Sequence, residues 1–496
     1  MSPPRRPLRQ HRLLLIAMLA ALLTMPMTLA LVAMSGLLVL SAARVLVRKH
    51  NARGEPRSTT QTPENQLVLG TDASGRQVAL ADDDLTAHGL ILGASGAGKS
   101  TTLLAILTNH IRRGRPVVAI DLKGSPAFAS ELAGAAASAG REFTTWTPDG
   151  PAFWNPLAHG NATELKDKLI ATERFTEPHY QRAAERYVQM VLQVLREAHP
   201  GQPPTLAQVV HLMDPQRISS VLRKLPHERA EPVQDYLAGL TADQVSAIRG
   251  LGTRLAIISE SHSGRYLAPN PARHEATGPR EIDVRRALGG EQVVLFSLNS
   301  STYGKLAAQI GTLVIQDLVA AVGQRLELSS QESAIIGIDE FSALGADNVI
   351  SLLARGRGAG VSVLLATQEL ADLDRAARGL RDQVLGNTKL KLVHRQDVPS
   401  SAETIAQMSG TEKVWQHTFA LGSGLLGAYD TSRGTRRQVE QFVVHPNEIK
   451  SLGTGEAVMM RSGAGSRSRT VRVRGPGRVD DPSRVRGPGR TGGLQR

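Results

Sequence analysis

Residues 93–101, GASGAGKST, have the residue types and spacing of a loop that binds phosphate groups. They fit the pattern G-x-x-x-x-G-K-[ST], in which glycines let backbone N–H groups surround phosphate oxygens and the lysine reaches the β- and γ-phosphates. The serine hydroxyl of such a loop binds Mg²⁺, and the start of the following helix adds a favourable dipole. We therefore predict that ATP and Mg²⁺ bind at nine consecutive residues: Gly93, Ala94, Ser95, Gly96, Ala97, Gly98, Lys99, Ser100 and Thr101.

A second group of candidate residues follows two apolar segments further along the chain. AIIGIDEF carries Asp339 and Glu340 at its end, and VLLATQ ends at Gln368. In this arrangement the aspartate binds Mg²⁺ together with Ser100, and the glutamate polarises the attacking water. Gln368 is placed to sense the γ-phosphate. The predicted catalytic residues are therefore Lys99, Glu340 and Gln368, although an acidic pair in this position could instead cap the next helix.

Two arginines between these segments are candidates for a further catalytic role. Arg355 and Arg357 lie in ARGRGAG, and either could reach the phosphates of a neighbouring subunit as an arginine finger. The alternative for each is an ordinary contact with carbonyl groups at the end of a helix.

The elements that must position these residues are those of a parallel α/β fold. HGLIL before the glycine loop and TTLLAILTNHI after it supply a strand and a helix, and RPVVAIDLKGS is a further buried strand ending in Asp121 and Lys123. Short apolar strands that alternate with helical patterns favour a doubly wound parallel sheet. Between residues 153 and 286 the apolar spacing becomes helical, which predicts a mostly α-helical insert.

Positive charge is concentrated at the two ends of the chain. The formal net charge is +13, but the first 57 residues hold nine Lys or Arg against one Glu, and the last 36 hold ten Arg against two Asp. The rest of the chain is slightly acidic, which argues against a uniformly basic DNA-coating domain. Because the chain has no cysteine, disulfides, thiolate nucleophiles and cysteine-zinc sites are excluded.

The N-terminal basic residues flank a long apolar segment. Residues 13–47 contain no charge before Arg44, and such a stretch predicts a membrane segment. Pro26 lies near its middle, so two short spans and one tilted span both fit. In either case the nucleotide site is expected to face the cytoplasm.

The C-terminal end is a low-complexity segment in which VRGPGR occurs twice. Its Gly/Pro/Arg composition predicts a disordered tail from residue 461 to 496. Such a tail either improves solubility or binds phosphates of nucleic acid or anionic lipid. These patterns divide the chain as follows: membrane anchor and linker 1–57, first part of the ATPase domain 58–152, helical insert 153–286, second part of the ATPase domain 287–460, and tail 461–496.

Taken together, the motifs resemble those of type IV coupling proteins, the TraG/TraD-like ATPases of conjugative DNA transfer within the wider FtsK/HerA group. The resemblance covers most of residues 67–460. It depends on the membrane segment and the helical insert together with six motifs: HGLILGASGAGKSTT, VVAIDLKGS, FWNPL, IIGIDEFSALG, RGRGAGVSVLLATQ and VHPNEIKSLGTGEAVMM. The chain departs from the family in having almost no polar break between two membrane spans, and in its Arg/Gly/Pro tail.

The resemblance implies a RecA-like P-loop ATPase fold with an inserted all-α domain and an N-terminal transmembrane anchor. It also implies a homohexamer with a central channel for DNA, bound to the bacterial inner membrane with its motor domain in the cytoplasm. The expected partners are DNA, the membrane, type IV secretion channel components and a relaxosome-like DNA-processing complex.

Three other functions remain open from the sequence. They are an FtsK-like translocase of double-stranded DNA, a secretion ATPase for protein substrates, and a membrane-bound recruiting platform with little turnover. The complete set of Lys99, Ser100, Asp339 and Glu340 speaks against the last of these.

Overall fold

A computed structural model describes residues 66–476, except 174, 176, 269–279, 329–331, 345, 425–426 and 464–466. The predicted membrane anchor, residues 1–57, and the C-terminal residues from 477 onward lie outside the described residues.

Thirteen strands form in the described part of the chain. They are β1 Gln66–Thr71, β2 Gln77–Ala81, β3 Gly89–Leu92, β4 Val117–Asp121, β5 Glu142–Trp146, β6 Gln292–Ser297, β7 Ala334–Asp339, β8 Val361–Thr367, β9 Leu390–Val393, β10 Thr411–Gly424, β11 Gly427–Phe442, β12 Glu456–Arg461 and β13 Arg469–Val473.

Helices connect these strands over the same described residues. They are α1 Asp82–Leu85, α2 Lys99–Arg112, α3 Pro126–Ser138, α4 Ala162–Ile170, α5 Pro178–Ala198, α6 Leu206–Leu212, α7 Ser219–Leu222, α8 His227–Ala238, α9 Ala242–Ser259, α10 Val284–Leu288, α11 Ser300–Glu327, α12 Ala346–Gly356, α13 Leu370–Ala376, α14 Leu380–Asn387, α15 Pro399–Ser409 and α16 Pro446–Ser451.

One eleven-stranded sheet organises the described residues, in the order β2-β1-β13-β12-β9-β3-β8-β7-β4-β6-β5. The seven strands from β9 to β5 run parallel, as the sequence predicts. Every residue of β4, β7 and β8 is buried because helices cover both faces of the sheet. Helices α2 and α3 pack on one face, and α11 with the helices of the insert pack on the other.

The remaining four strands extend the sheet in the antiparallel sense, which the expectation of a parallel sheet did not include. Strand β12 pairs with β9, β13 pairs with β12, and β1 pairs with both β13 and β2. The sheet is therefore mixed, with β3, the strand before the glycine loop, near its centre.

Strand β13 corrects the predicted boundary of the disordered tail. Residues 469–473 lie between β1 and β12, and Val471 is completely buried. Backbone pairing on both sides and two valines that pack against the core, Val471 and Val473, hold this short strand, whereas composition averaged over 36 residues hides it. Gly70 permits this pairing, because a Cβ there would lie 2.0 Å from the Arg472 carbonyl oxygen.

Between β5 and β6, the described residues form the helical insert. A buried ion pair connects the insert to the body, since Lys168 Nζ on α4 lies 2.7 Å from Asp317 Oδ1 on α11. The indole of Trp154 donates a hydrogen bond to the other oxygen of Asp317 at 3.0 Å. Helix α11 is apolar and long enough to cross a membrane, but 72% of its most apolar window is buried within the protein, as in a core helix.

Strands β10 and β11 form a separate two-stranded antiparallel sheet that sequence analysis did not predict. Its pairing runs from Thr411 opposite Phe442 to Gly424 opposite Gly427. The sequence of β11, GAYDTSRGTRRQVEQF, has few apolar residues, and an alternation of apolar residues is the signal that identifies a strand in a sequence.

Candidate nucleotide-binding site

The candidate site lies where the parallel strands end at their carboxyl edge. The glycine loop links β3 to α2, and its backbone bonds to neighbouring strand ends: Gly93 N–H donates to Gln368 O at 3.2 Å and Ala94 N–H to Arg395 O at 2.8 Å. Gly455 N–H donates to Ala97 O at 2.9 Å. The loop is thus held from both sides before any ligand binds.

Glycine is required at both ends of this loop. A Cβ on Gly93 would lie 2.6 Å from His394 Cβ, closer than side chains approach. Gly98 has a φ of 117° and leaves only 3.1 Å to the Gly455 backbone, so neither its conformation nor its space suits another residue. Ser95 and Gly96 in the loop and Thr101 in the first turn of α2 are exposed.

Lys99, the first residue of α2, points back into the loop. Its Nζ donates to Gly93 O at 2.6 Å and Ala94 O at 3.3 Å, and the side chain is 4% exposed. Burial lowers the pKa of Lys99, and the carboxylate of Glu340 opposes that effect. The ammonium group therefore lies within the loop, at the position predicted for a phosphate contact.

Ser100 and Asp339 meet, although 239 positions separate them in the sequence. Ser100 Oγ donates to Asp339 Oδ2 at 2.6 Å, and Asp339 is almost fully buried at the end of β7. Among the described residues, Asp339 Oδ1 has no hydrogen-bond partner. A hydroxyl beside a buried carboxylate oxygen without a partner fits Mg²⁺, which prefers oxygen ligands and takes one or two carboxylates together with substrate phosphates.

Glu340 follows Asp339 in a left-handed backbone conformation with a φ of 58°. Its Oε1 accepts two hydrogen bonds, from Lys123 Nζ at 2.7 Å and from Gln368 Nε2 at 3.2 Å. Gln368 also connects this carboxylate to the glycine loop through the backbone bond to Gly93 described above. The structure therefore brings together Lys99, Ser100, Asp339, Glu340 and Gln368, the five residues for which the sequence predicts roles in metal binding and ATP hydrolysis.

Two residues at this edge have no assigned role from the sequence. Lys123, predicted only to lie with Asp121 at the end of the strand in RPVVAIDLKGS, contacts Glu340. His394, after β9, is fully buried beneath the loop, where its Nε2 pairs with Thr102 Oγ1 and its Nδ1 with Glu456 O, both at 2.9 Å. Burial lowers the pKa of His394 to about 4. For both Lys123 and His394, the only indication of a role in the sequence is that a polar residue follows a predicted strand.

Arg355 and Arg357 are not part of this cluster. They are exposed and lie just before β8 begins, whereas Gln368 follows its end. A seven-residue strand spans about 23 Å. Within one chain, neither arginine can therefore reach a nucleotide held by the glycine loop.

Comparisons with known proteins agree with this architecture. Residues 335–454 match the family described as the TraM recognition site of TraD and TraG, and residues 50–125 match the FtsK/SpoIIIE family. The chain is 20% identical over 391 residues to the type 4 coupling protein DotL of Legionella pneumophila, covering 66% of this chain and 49% of DotL. It thus spans about half the length of this curated relative.

Two solved structures share the fold. The bacterial conjugative coupling protein TrwB, lacking its first 70 residues, superimposes with a TM-score of 0.58 at 16% identity, over 83% of this chain and 90% of that one. VirB4 of Thermoanaerobacter pseudethanolicus gives a TM-score of 0.53 at 15% identity, over 83% of this chain and 97% of its own.

The fold and the loop geometry define a P-loop protein of the RecA-like class. Within that class, the chain resembles type IV coupling proteins, and the resemblance predicted from the motifs is confirmed by the family matches, DotL and TrwB together.

Proposed function

We propose that this protein is a membrane-anchored, ATP-driven translocase that couples a DNA or nucleoprotein substrate to a conjugative or type IV secretion channel. The observation that carries the proposal is the convergence of Lys99, Ser100, Asp339, Glu340 and Gln368 at one edge of the sheet. Support also comes from TrwB, whose solved structures hold a GTP analogue, ADP with Mg²⁺, and an ATP analogue.

In this proposal the glycine loop binds the phosphates of ATP. Lys99 exchanges its contacts with the Gly93 and Ala94 carbonyls for the β- and γ-phosphates, and Ser100 with Asp339 would hold Mg²⁺. When bound, Mg²⁺ would supply positive charge that offsets the negative charge developing on the phosphate oxygens of ADP as it leaves.

Glu340 is the proposed general base. Its carboxylate accepts a proton from water as the water oxygen attacks the γ-phosphorus and the bond to ADP breaks. Gln368 senses whether the γ-phosphate is present, because its side chain contacts Glu340 and its carbonyl contacts the loop.

The assembly is proposed to be a homohexamer at the bacterial inner membrane, with its motor domain in the cytoplasm and a relaxosome-like complex as its DNA-processing partner. Because Arg355 and Arg357 are exposed and remote from the loop of their own chain, an arginine finger would act on the nucleotide of a neighbouring subunit.

Substrate-dependent ATP turnover tests this function. Purified full-length protein is assayed with single-stranded DNA, double-stranded DNA or secreted proteins, and Lys99→Ala serves as the inactive control. Stimulation by DNA that is absent in Lys99→Ala supports the proposal. Stimulation by double-stranded DNA alone favours an FtsK-like translocase, stimulation by proteins alone favours a protein-secretion ATPase, and no turnover under any condition refutes an ATPase.

A further inference from the structure

Lys123 makes the shortest contact to the carboxylate of Glu340. The two side chains form an ion pair at 2.7 Å, shorter than the 3.2 Å hydrogen bond from Gln368 to the same oxygen. Lys123 belongs to neither the glycine loop nor the strand that carries Asp339 and Glu340. It reaches Glu340 from the loop after β4, which lies beside β7 in the sheet.

The loop after β4 is built to hold Lys123 in this place. The buried carboxylate of Asp121 accepts hydrogen bonds from the backbone N–H groups of Lys123 at 2.9 Å and Ser125 at 2.6 Å. Gly124 has a φ of 72° and packs against Asn299, since a Cβ there would lie 2.8 Å from Asn299 Cβ. The position of Lys123 therefore follows from fixed backbone contacts, while its own side chain remains 44% exposed.

We propose that Lys123 is a positioning residue that holds Glu340 in a resting state until nucleotide binds. The inference rests on the proposed function, because it assigns Glu340 as the base. Lys123 and Gln368 both contact Oε1 of Glu340, so the ion pair fixes the direction in which this carboxylate faces. The Lys123–Glu340 ion pair must therefore open before the carboxylate can turn toward the attacking water.

The negatively charged phosphates of the nucleotide open the Lys123–Glu340 ion pair by attracting Lys123. Lys123 lies within electrostatic range of Lys99, whose pKa its charge helps to lower. An anion bound at Lys99 therefore attracts Lys123 as well and competes with Glu340 for its ammonium group. The long, half-exposed side chain can follow this attraction without displacement of the backbone.

The ion pair is tested first without turnover, by a double-mutant cycle on full-length protein. The variants are Lys123→Met, which keeps the length of the side chain but removes its charge, Glu340→Gln, and the two combined. In nucleotide-free protein, the change in melting temperature of the double variant should differ from the sum of the two single changes by about 1–3 °C, which is the coupling between the side chains. Adding Mg²⁺ with a non-hydrolysable ATP analogue should reduce this coupling to zero. No coupling without nucleotide, or equal coupling with it, would overturn the inference.

The consequence for turnover is tested with the same variant. Loss of a partly exposed ion pair should raise ATP turnover without DNA by about two- to fivefold, with KM for ATP nearly unchanged. Stimulation by DNA should fall by the same factor. Lys123→Arg should restore the wild-type behaviour, and Lys450→Met, an exposed lysine on α16, should leave it unaltered.

A fall in turnover in Lys123→Met would instead mean that the ion pair supports catalysis, and would contradict a resting-state role. If no variant hydrolyses ATP, the proposed function fails, but the double-mutant cycle without nucleotide still decides whether the pair exists, and the cycle with the ATP analogue decides whether nucleotide opens it.

Discussion

Lowering the pH should loosen the glycine loop from beneath, through His394. This histidine is completely buried, with one ring nitrogen paired to Thr102 on α2 and the other to a backbone carbonyl. Its pKa falls from the ordinary 6.5 to about 4, because burial disfavours the charged ring and Lys99 repels it. Protonation would place a charge in the buried space under the loop. As the pH falls, this histidine therefore binds a proton in the unfolded chain before it does so in the folded protein.

The size of this effect follows from the two pKa values. The free energy of unfolding is unaffected by His394 above pH 6.5. It falls as the pH is lowered from 6.5 toward 4, because in that range only the unfolded chain binds a proton at this histidine. Between pH 7 and pH 5, one such histidine costs about 2 kcal/mol of unfolding free energy. His110, buried on α2 with its pKa also lowered to about 4, should contribute a similar amount.

Urea unfolding of nucleotide-free protein at pH 7 and pH 5 measures this cost. His394→Gln should lose about 2 kcal/mol less than the wild type between the two pH values, although it is less stable at pH 7. His227→Gln, whose side chain is 85% exposed, is the matched control and should lose as much as the wild type. Equal losses in His394→Gln and the wild type would refute the assignment of a neutral, buried His394.

Two further predictions concern the insert and the C-terminal end. Lys168→Met leaves the buried carboxylate of Asp317 without its charge partner and should destabilise the protein by about 3–5 kcal/mol in urea unfolding, whereas an equal stability would show that the pair is not buried. Truncation after Pro476 removes five arginines and should leave ATP turnover intact. It should also reduce the slope of log K for DNA binding against log salt concentration by about 2–4. Truncation after Arg461 also removes β13 and should therefore reduce the free energy of unfolding. If truncation after Pro476 left the salt dependence of DNA binding unchanged, the tail would bind a partner other than DNA.

Much of the site could be predicted because most of its residues lie in short motifs with a fixed spacing. The glycine loop needs particular residues at fixed spacing, and Asp339 with Glu340 marks the end of an unmistakably apolar strand. Parallel strands end at one edge of a sheet, so motifs that are distant in sequence meet there. Their convergence in the structure follows from that rule.

What could not be predicted depends on contacts between distant parts of the chain. His394 and Lys123 are ordinary residues after ordinary strands, and their roles arise only because β9 and β4 lie beside the strands of the glycine loop and of Glu340. Strand β13 was missed for the same reason, since Val471 and Val473, which face the core, lie in a segment rich in glycine and arginine. The average composition of the segment hides these two valines, whereas their strand is held by backbone pairing on both of its edges.

The most direct test of the proposed motor separates ATP binding from ATP turnover in Glu340→Gln. Binding of a fluorescent ATP analogue and DNA-stimulated turnover are measured side by side for this variant and the wild type. The proposal predicts that binding persists, because Lys99, Ser100 and Asp339 are intact, while turnover falls by at least about a hundredfold. Turnover by Glu340→Gln at the wild-type rate would contradict the assignment of Glu340 as the base and, with it, the mechanism proposed for this site.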